Sequence, residues 1–141
     1  MIIADTGFWV ALANRDDRHH ARAMAWLEKL DEPLVCTWPV VTETSYLLLH
    51  RVSSETQRQF LVSHAEGAFE IFELVKDHVA RMVQLMEKYA DLPMDLADAS
   101  LVILAEELGH GRILSTNERD FGVYRWKQHE PFENLLLPAP P

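Results

Sequence analysis

A chain of 141 residues with an apolar share of 48% and a charged share of 25% has the make-up of one globular domain, read here as spanning 1–141, and neither disorder nor a fibrous class is supported. Thirteen Lys and Arg against twenty-two Asp and Glu give a net charge of −9, the wrong sign for holding nucleic acid by broad electrostatic attraction. A nucleic-acid function would have to be local, through bound cations or a confined basic rim. No apolar run approaches the roughly 20 residues that cross a bilayer, and Met1–Asp5 lacks the basic start and long apolar stretch of a signal peptide, so a cytoplasmic protein with no membrane contact is expected.

In chain order, Met1 to Asp5 reads as a short buried strand ending in a sharp Asp-Thr-Gly turn, followed by a helical turn over Phe8 to Ala13. Arg18 to Leu30 has a helix pattern with Ala21, Met24, Ala25 and Leu27 as its apolar side. Leu34 to Thr37 is the next strand, and its Cys36, the single cysteine, is expected to be a buried small hydrophobe rather than a nucleophile. Pro39 opens a helix running to about Val52 with Val40, Val41, Leu47 and Leu48 inward, and Ser54-Glu55 opens another through about Glu66. Phe69 to Leu74 alternates like a strand. Two helices follow, over Asp77 to Tyr89 and Asp95 to Leu108, the second stopped by Gly109. Strands over Arg112 to Ser115 and Phe132 to Leu137 complete the pattern, with a loop carrying Asp120-Phe121 between them.

Strands alternating with helices predict a three-layer α/β/α domain around a mostly parallel sheet of about five strands, because parallel neighbours need helical crossovers. Ligands of such sheets bind beyond the carboxyl ends of the strands, where strand order reverses. Asp5 ends the first strand there, although an Asx-turn or a helix cap would account for it equally well. Glu43 borders the inward face of its helix, where a salt bridge is the plainer explanation. Asp95 and Asp98 share the first turn of theirs, as capping preferences alone would select. Asn117, Glu118 and Asp120 follow the fourth strand. If strand one lies beside strand four, these groups face one pocket, and several acids in one pocket repel by a few kcal/mol per close pair unless a cation or a shared proton intervenes. Oxygen donors without a His or Cys cluster point to Mg²⁺ or Mn²⁺ and fit zinc poorly.

At these residues the chain resembles the PIN-domain family, particularly the VapC-type ribonuclease toxins of type II toxin-antitoxin pairs. The resemblance is carried by Ile3-Ala4-Asp5-Thr6-Gly7-Phe8, Val41-Thr42-Glu43-Thr44, Asp98-Ala99-Ser100-Leu101-Val102, Ile113-Leu114-Ser115-Thr116-Asn117 and Asp120-Phe121, in that order. It implies a metal-dependent endoribonuclease in which Asp5 and Asp98 ligate the metal and Glu43 is a ligand or a base orienting the attacking water. Asn117, which brings no charge where many relatives have an acid, would be supplemented by Asp120 or Asp95, with Thr6, Ser115 and Thr116 placing a water or a phosphate. The RNA substrate would be gripped by rims at Arg15, Arg18 and Arg22 and at Arg112, Arg119 and Arg125, with Trp9 and Trp38 as stacking platforms. A homodimer and a cognate antitoxin are the implied protein partners. Two other functions remain open at this point: a phosphohydrolase using Asp5 as nucleophile, although Gly7 stands where D-x-D would need an acid, and a catalytically weak PIN-like interaction module, suggested by Asn117.

Overall fold

The computed structural model describes residues 1–138. Ile2–Ala4 forms β1, buried on both faces as befits an all-apolar run at the centre of a sheet. Helix α1 (Thr6–Ala13) follows at once, then α2 (His20–Lys29), β2 (Leu34–Thr37), α3 (Trp38–Arg51), α4 (Ser54–Ala65) and β3 (Glu70–Phe72). A 3₁₀ turn over Lys76–His78 leads into α5 (Val79–Lys88), and α6 (Leu96–Leu108) ends at Gly109, whose φ of +76° is the left-handed cap that glycine tolerates best. Then come β4 (Arg112–Leu114), α7 (Glu118–Val123), β5 (Arg125–Trp126), β6 (Glu130–Pro131) and β7 (Glu133–Asn134).

The five-stranded sheet has the order β3-β2-β1-β4-β7 and all its pairs are parallel, with Ile3 registered against Val35 on one side and Ile113 on the other. Parallel pairing requires crossovers, and the helices that make them give the expected three-layer α/β/α arrangement. The chain steps from β1 outward through β2 and β3, then returns through α5 and α6 to place β4 on the other side of β1. Strand order therefore reverses between β1 and β4, and the crevice at their carboxyl ends is where such a sheet binds ligands.

Helix α6 packs on β1 and β2, with Ala99 through Ala105 all buried. Cys36 lies in the middle of the core, fully buried, and burial pushes its thiol up to about 12, so it is a packing residue as expected.

Several expectations shift on contact with the structure. Helix α2 turns Ala23, Trp26 and Leu30 inward, while Met24 and Leu27 are exposed. Both stripes satisfy a helical period, and the one carrying Ala23 faces the core beside α1. The last strand is only Glu133–Asn134, because the Asn134 side-chain Oδ1 accepts from the Leu136 and Leu137 amides and curls the chain away. A small antiparallel ribbon of β5 and β6, not anticipated, fills the segment after α7.

Candidate active site

Asp5 both caps a helix and lines the crevice at the carboxyl end of β1. Its Oδ1 accepts from the Phe8 amide at 3.1 Å, which stops β1 and starts α1, while its Oδ2 accepts a short hydrogen bond from the Ser115 hydroxyl just beyond β4. The Ser115 Oγ in turn accepts from the Asn117 amide at 2.9 Å. The carboxylate is thus fixed by both strands that flank the switch point, and each oxygen keeps a lone pair for another partner. Gly7 was expected to serve a turn. It sits instead in the first turn of α1, and a Cβ there would fall 1.8 Å from the Thr116 Oγ1. Its missing side chain is what lets the β4 loop close over the start of α1.

The other acids come from α3 and α6. Asp95 caps α6 by accepting from the Asp98 amide at 2.8 Å, as capping preference foretold. The Asp98 side chain then points into the same crevice, and its Oδ2 accepts from the Tyr124 hydroxyl at 2.9 Å. Tyr124 is fully buried against Tyr89 and Phe121, so it holds that oxygen rigidly and leaves Oδ1 free. Glu43, half-buried on α3, completes the wall.

These groups line one cavity of about 310 Å³. Six carboxylates reach it, from Asp5, Asp17, Glu43, Asp95, Asp98 and Asp120, together with Thr6, Thr116, Asn117 and a single cation, Arg51. Burial is the main reason the proton affinities of Asp5, Glu43 and Asp98 rise. Asp5 is pushed up to about 6 by burial, against the lowering effect of Ser115 and with Glu43 adding repulsion. Asp98 is pushed up to about 7 by burial and by the charge of Asp95, with Tyr124 opposing. Glu43 is raised by burial and by Asp95, with the Thr6 hydroxyl favouring its ionised form. Tyr124, raised by burial and by Asp98, stays a donor at any ordinary pH.

Among the described residues no three His, Cys, Asp or Glu side chains close into a ready-made metal cage. The donor chemistry nonetheless fits a hard divalent cation. The cavity is walled by oxygens that disfavour one another's ionisation, and Mg²⁺ keeps several of its waters and uses only one or two protein carboxylates directly. A tight cage of three is not what that ion requires.

The remaining expected residues sort by position. Asn117 and Asp120 line the cavity but are bound to each other: Asn117 caps α7, its Nδ2 donates to Asp120 Oδ2 at 2.8 Å, and Arg119 Nε donates to Asp120 Oδ1 at 3.0 Å. Arg119 therefore stands at the cavity's edge with its charge shared. Arg112 is misplaced as an RNA contact. It begins β4, at the amino edge of the sheet, and forks onto Glu32 at 3.0 and 2.7 Å. Arg22 donates to the Leu136 carbonyl and Arg125 to the carbonyls of Gly122, Val123 and Tyr124 at the end of α7, so both are structural. Arg15 borders a different cleft and Arg18 is an exposed residue between α1 and α2. Trp9 is no stacking platform: it is 6% exposed and packs against Phe8, Phe60 and Phe69. Trp38 is exposed, as that role would need.

Sequence reasoning missed Asp17, Tyr124 and Arg51. Only Arg51 left a trace, eight residues after Glu43 and so on the same helical face.

The PIN domain model matches residues 2–127. The chain belongs to the PIN-domain family. Ribonuclease VapC26 of Mycobacterium tuberculosis is 27% identical to this PIN domain over 124 residues, covering 88% of the chain and 92% of that protein. The crystal structure of Mycobacterium tuberculosis VapC20, described as a sarcin-ricin loop cleaving toxin, superposes with a TM-score of 0.78 at 17% identity. It covers 84% of this chain and 92% of that one, and the likeness is one of fold.

Proposed function

We propose that this PIN domain is a Mg²⁺- or Mn²⁺-dependent endoribonuclease that hydrolyses RNA phosphodiester bonds as the toxin of a toxin-antitoxin pair in the cytoplasm. The observation that carries the proposal is the convergence of Asp5, Glu43 and Asp98, from three separate elements, on one cavity at the β1/β4 switch point. The relationship to a ribonuclease over most of the chain supports it. No helix among the described residues is long and apolar enough to cross a membrane.

Asp5 and Asp98 would hold the cation, with Ser115 and Tyr124 fixing the two carboxylates so that one oxygen of each faces the cavity. The cation, when bound, supplies charge neutralisation at the scissile phosphate and the leaving oxygen. Glu43, whose proton affinity is raised by burial and by Asp95, lines the same cavity and is suited to take the proton of the attacking water. Thr6, which precedes Gly7, and Thr116, which packs against it, both line the cavity and offer hydroxyls to orient that water or a phosphate oxygen.

The homodimer has support in an apolar patch formed by Tyr46 and Leu96, exposed by 60% and 50%, beside the acidic cavity. The antitoxin would cover a separate apolar cleft of about 680 Å³ lined by Leu12, Leu27, Val52 and Phe60.

The test is cleavage of RNA by the purified chain with Mg²⁺, with EDTA, and in Asp5→Asn and Asp98→Asn variants shown to fold. Cleavage is expected in the first condition alone. Equal cleavage in all four overturns the proposal.

A further inference from the structure

The acidic cavity presents RNA with a problem that a metal at Asp5 and Asp98 solves only locally. A cation there neutralises the phosphate being cut. The phosphates next to it still meet Asp17, Glu43 and Asp95 on a protein whose net charge is −9, and repulsion of that kind must be offset by a fixed positive charge at the right distance.

One residue has that position. Arg51 is the single Lys or Arg lining the cavity. It closes α3, and Glu43, Leu47 and Arg51 fall at i, i+4 and i+8 on one face, all three lining the cavity. A rise of 1.5 Å per residue sets Arg51 about 12 Å along the helix from Glu43. That spacing sets the two side chains at different places along the cavity wall, so the Arg51 guanidinium is placed to take a phosphate beside the one at the metal site.

Its guanidinium is also uncommitted. Arg22, Arg81, Arg112, Arg119 and Arg125 each donate to a protein acceptor, whereas Arg51, among the described residues, makes no side-chain hydrogen bond to the protein and no ion pair within 4.0 Å. A favourable place at the carboxyl end of a helix would explain a basic residue in the last turn of α3, but His50 is in that turn too and does not line the cavity. A planar fork of unspent donors on the wall of an anionic cleft is matched to a phosphodiester, which Arg can bind through two parallel hydrogen bonds.

From this placement we infer that Arg51 is a substrate-positioning residue that takes a non-scissile phosphate of the RNA on the α3 side of the cavity. The inference rests on the nuclease function proposed above, and its test separates the two. Binding of a short, labelled, single-stranded RNA of mixed sequence is followed by anisotropy across a salt series in the Asp5→Asn background, with and without Arg51→Ala or Arg51→Lys. Cleavage kinetics and Mg²⁺ calorimetry are run on the same Arg51 changes in the otherwise unaltered protein. Arg51→Ala is expected to weaken RNA binding and raise KM about tenfold with kcat within twofold. It should reduce the slope of log affinity against log salt by about 0.7, one contact on a single strand, and leave Mg²⁺ affinity unchanged. Arg51→Lys should restore most of the binding, and Arg58→Ala, on the exposed side of α4, should behave as the parent. RNA affinity and salt slope unaltered by Arg51→Ala, or a loss confined to Mg²⁺ affinity, overturns the inference while leaving the nuclease intact. An Arg51-dependent salt slope in a protein that never cleaves would overturn the nuclease and leave the phosphate contact standing.

Discussion

Tyr124 gives Asp98 its direction. A phenol that cannot ionise at working pH donates to one carboxylate oxygen from a fully buried ring, so the other oxygen is presented to the cavity without a rotamer search. Tyr124→Phe keeps the ring packing and deletes only that donor. Mg²⁺ affinity measured by calorimetry should fall about 10- to 100-fold, the usual cost of losing a ligand-orienting partner, with about 1 kcal/mol of stability lost. Asp98→Asn separates function from stability in the opposite direction. Cleavage should drop at least about 100-fold, while the metal-free protein should gain about 1 kcal/mol at pH 8, roughly 3 °C in melting temperature, because one of the mutually repelling buried charges is gone. A metal-free Asp98→Asn protein that melts lower than the parent would mean that the acids are stabilised by local partners and do not repel.

At the level of elements, the start of α1 and the loop after β4 are fitted to each other through Gly7 and Thr116. Gly7→Ala should cost about 1–3 kcal/mol, the range for overpacking, and lower activity, because Ser115, Thr116 and Asn117 must move to admit a methyl 1.8 Å from the Thr116 hydroxyl. Thr116→Ala in the same chain should return most of the stability by denaturant titration, since the severe clash is with Oγ1. This joint was invisible in the sequence, where Gly7 reads as a turn residue; close approach between segments more than a hundred residues apart leaves no local pattern. The elements themselves were legible because each has a periodic apolar stripe and a stop signal: Pro39 near the start of α3, Asp95 capping α6, Gly109 ending it. Asp5 and Asp98 were legible at a strand end and a helix start, and Glu43 on the border of its helix's inward face, and all three line one cavity. Tyr124 and Asp17 were not, as a lone buried tyrosine and a loop aspartate have no spacing to betray them. Arg112 misled although its place as the first residue of the fourth strand already set it at the amino edge of a parallel sheet, away from the carboxyl ends where the cavity lies.

For the molecule as a whole, the raised acids make stability depend on pH in an unusual sense. Burial raises Asp5 to about 6 and Asp98 to about 7 in the folded state, above the ordinary aspartate value of 3.8. Between these limits the native state holds protons that the unfolded chain has shed, so metal-free stability should fall as pH rises from about 4 through 7 and level off beyond it. A divalent cation competes for the same oxygens and releases those protons. The stabilisation produced by a fixed Mg²⁺ concentration should therefore be larger at pH 8 than at pH 6, and thermal melts at both values with and without EDTA measure the difference. Equal stabilisation at the two pH values would show that the ion does not bind through these carboxylates.

Cys36 turns this architecture into its own clock. The chain's one sulfhydryl is sealed in β2, next to β1, and its proton is held up to about 12, so an alkylating reagent has nothing to attack until the sheet comes apart. The rate at which iodoacetamide marks this position therefore counts opening events of the central strands. Divalent ions or RNA that bind at the far end of β1 would be read as a slowing of that count, with no label, tag or engineered probe added to the protein.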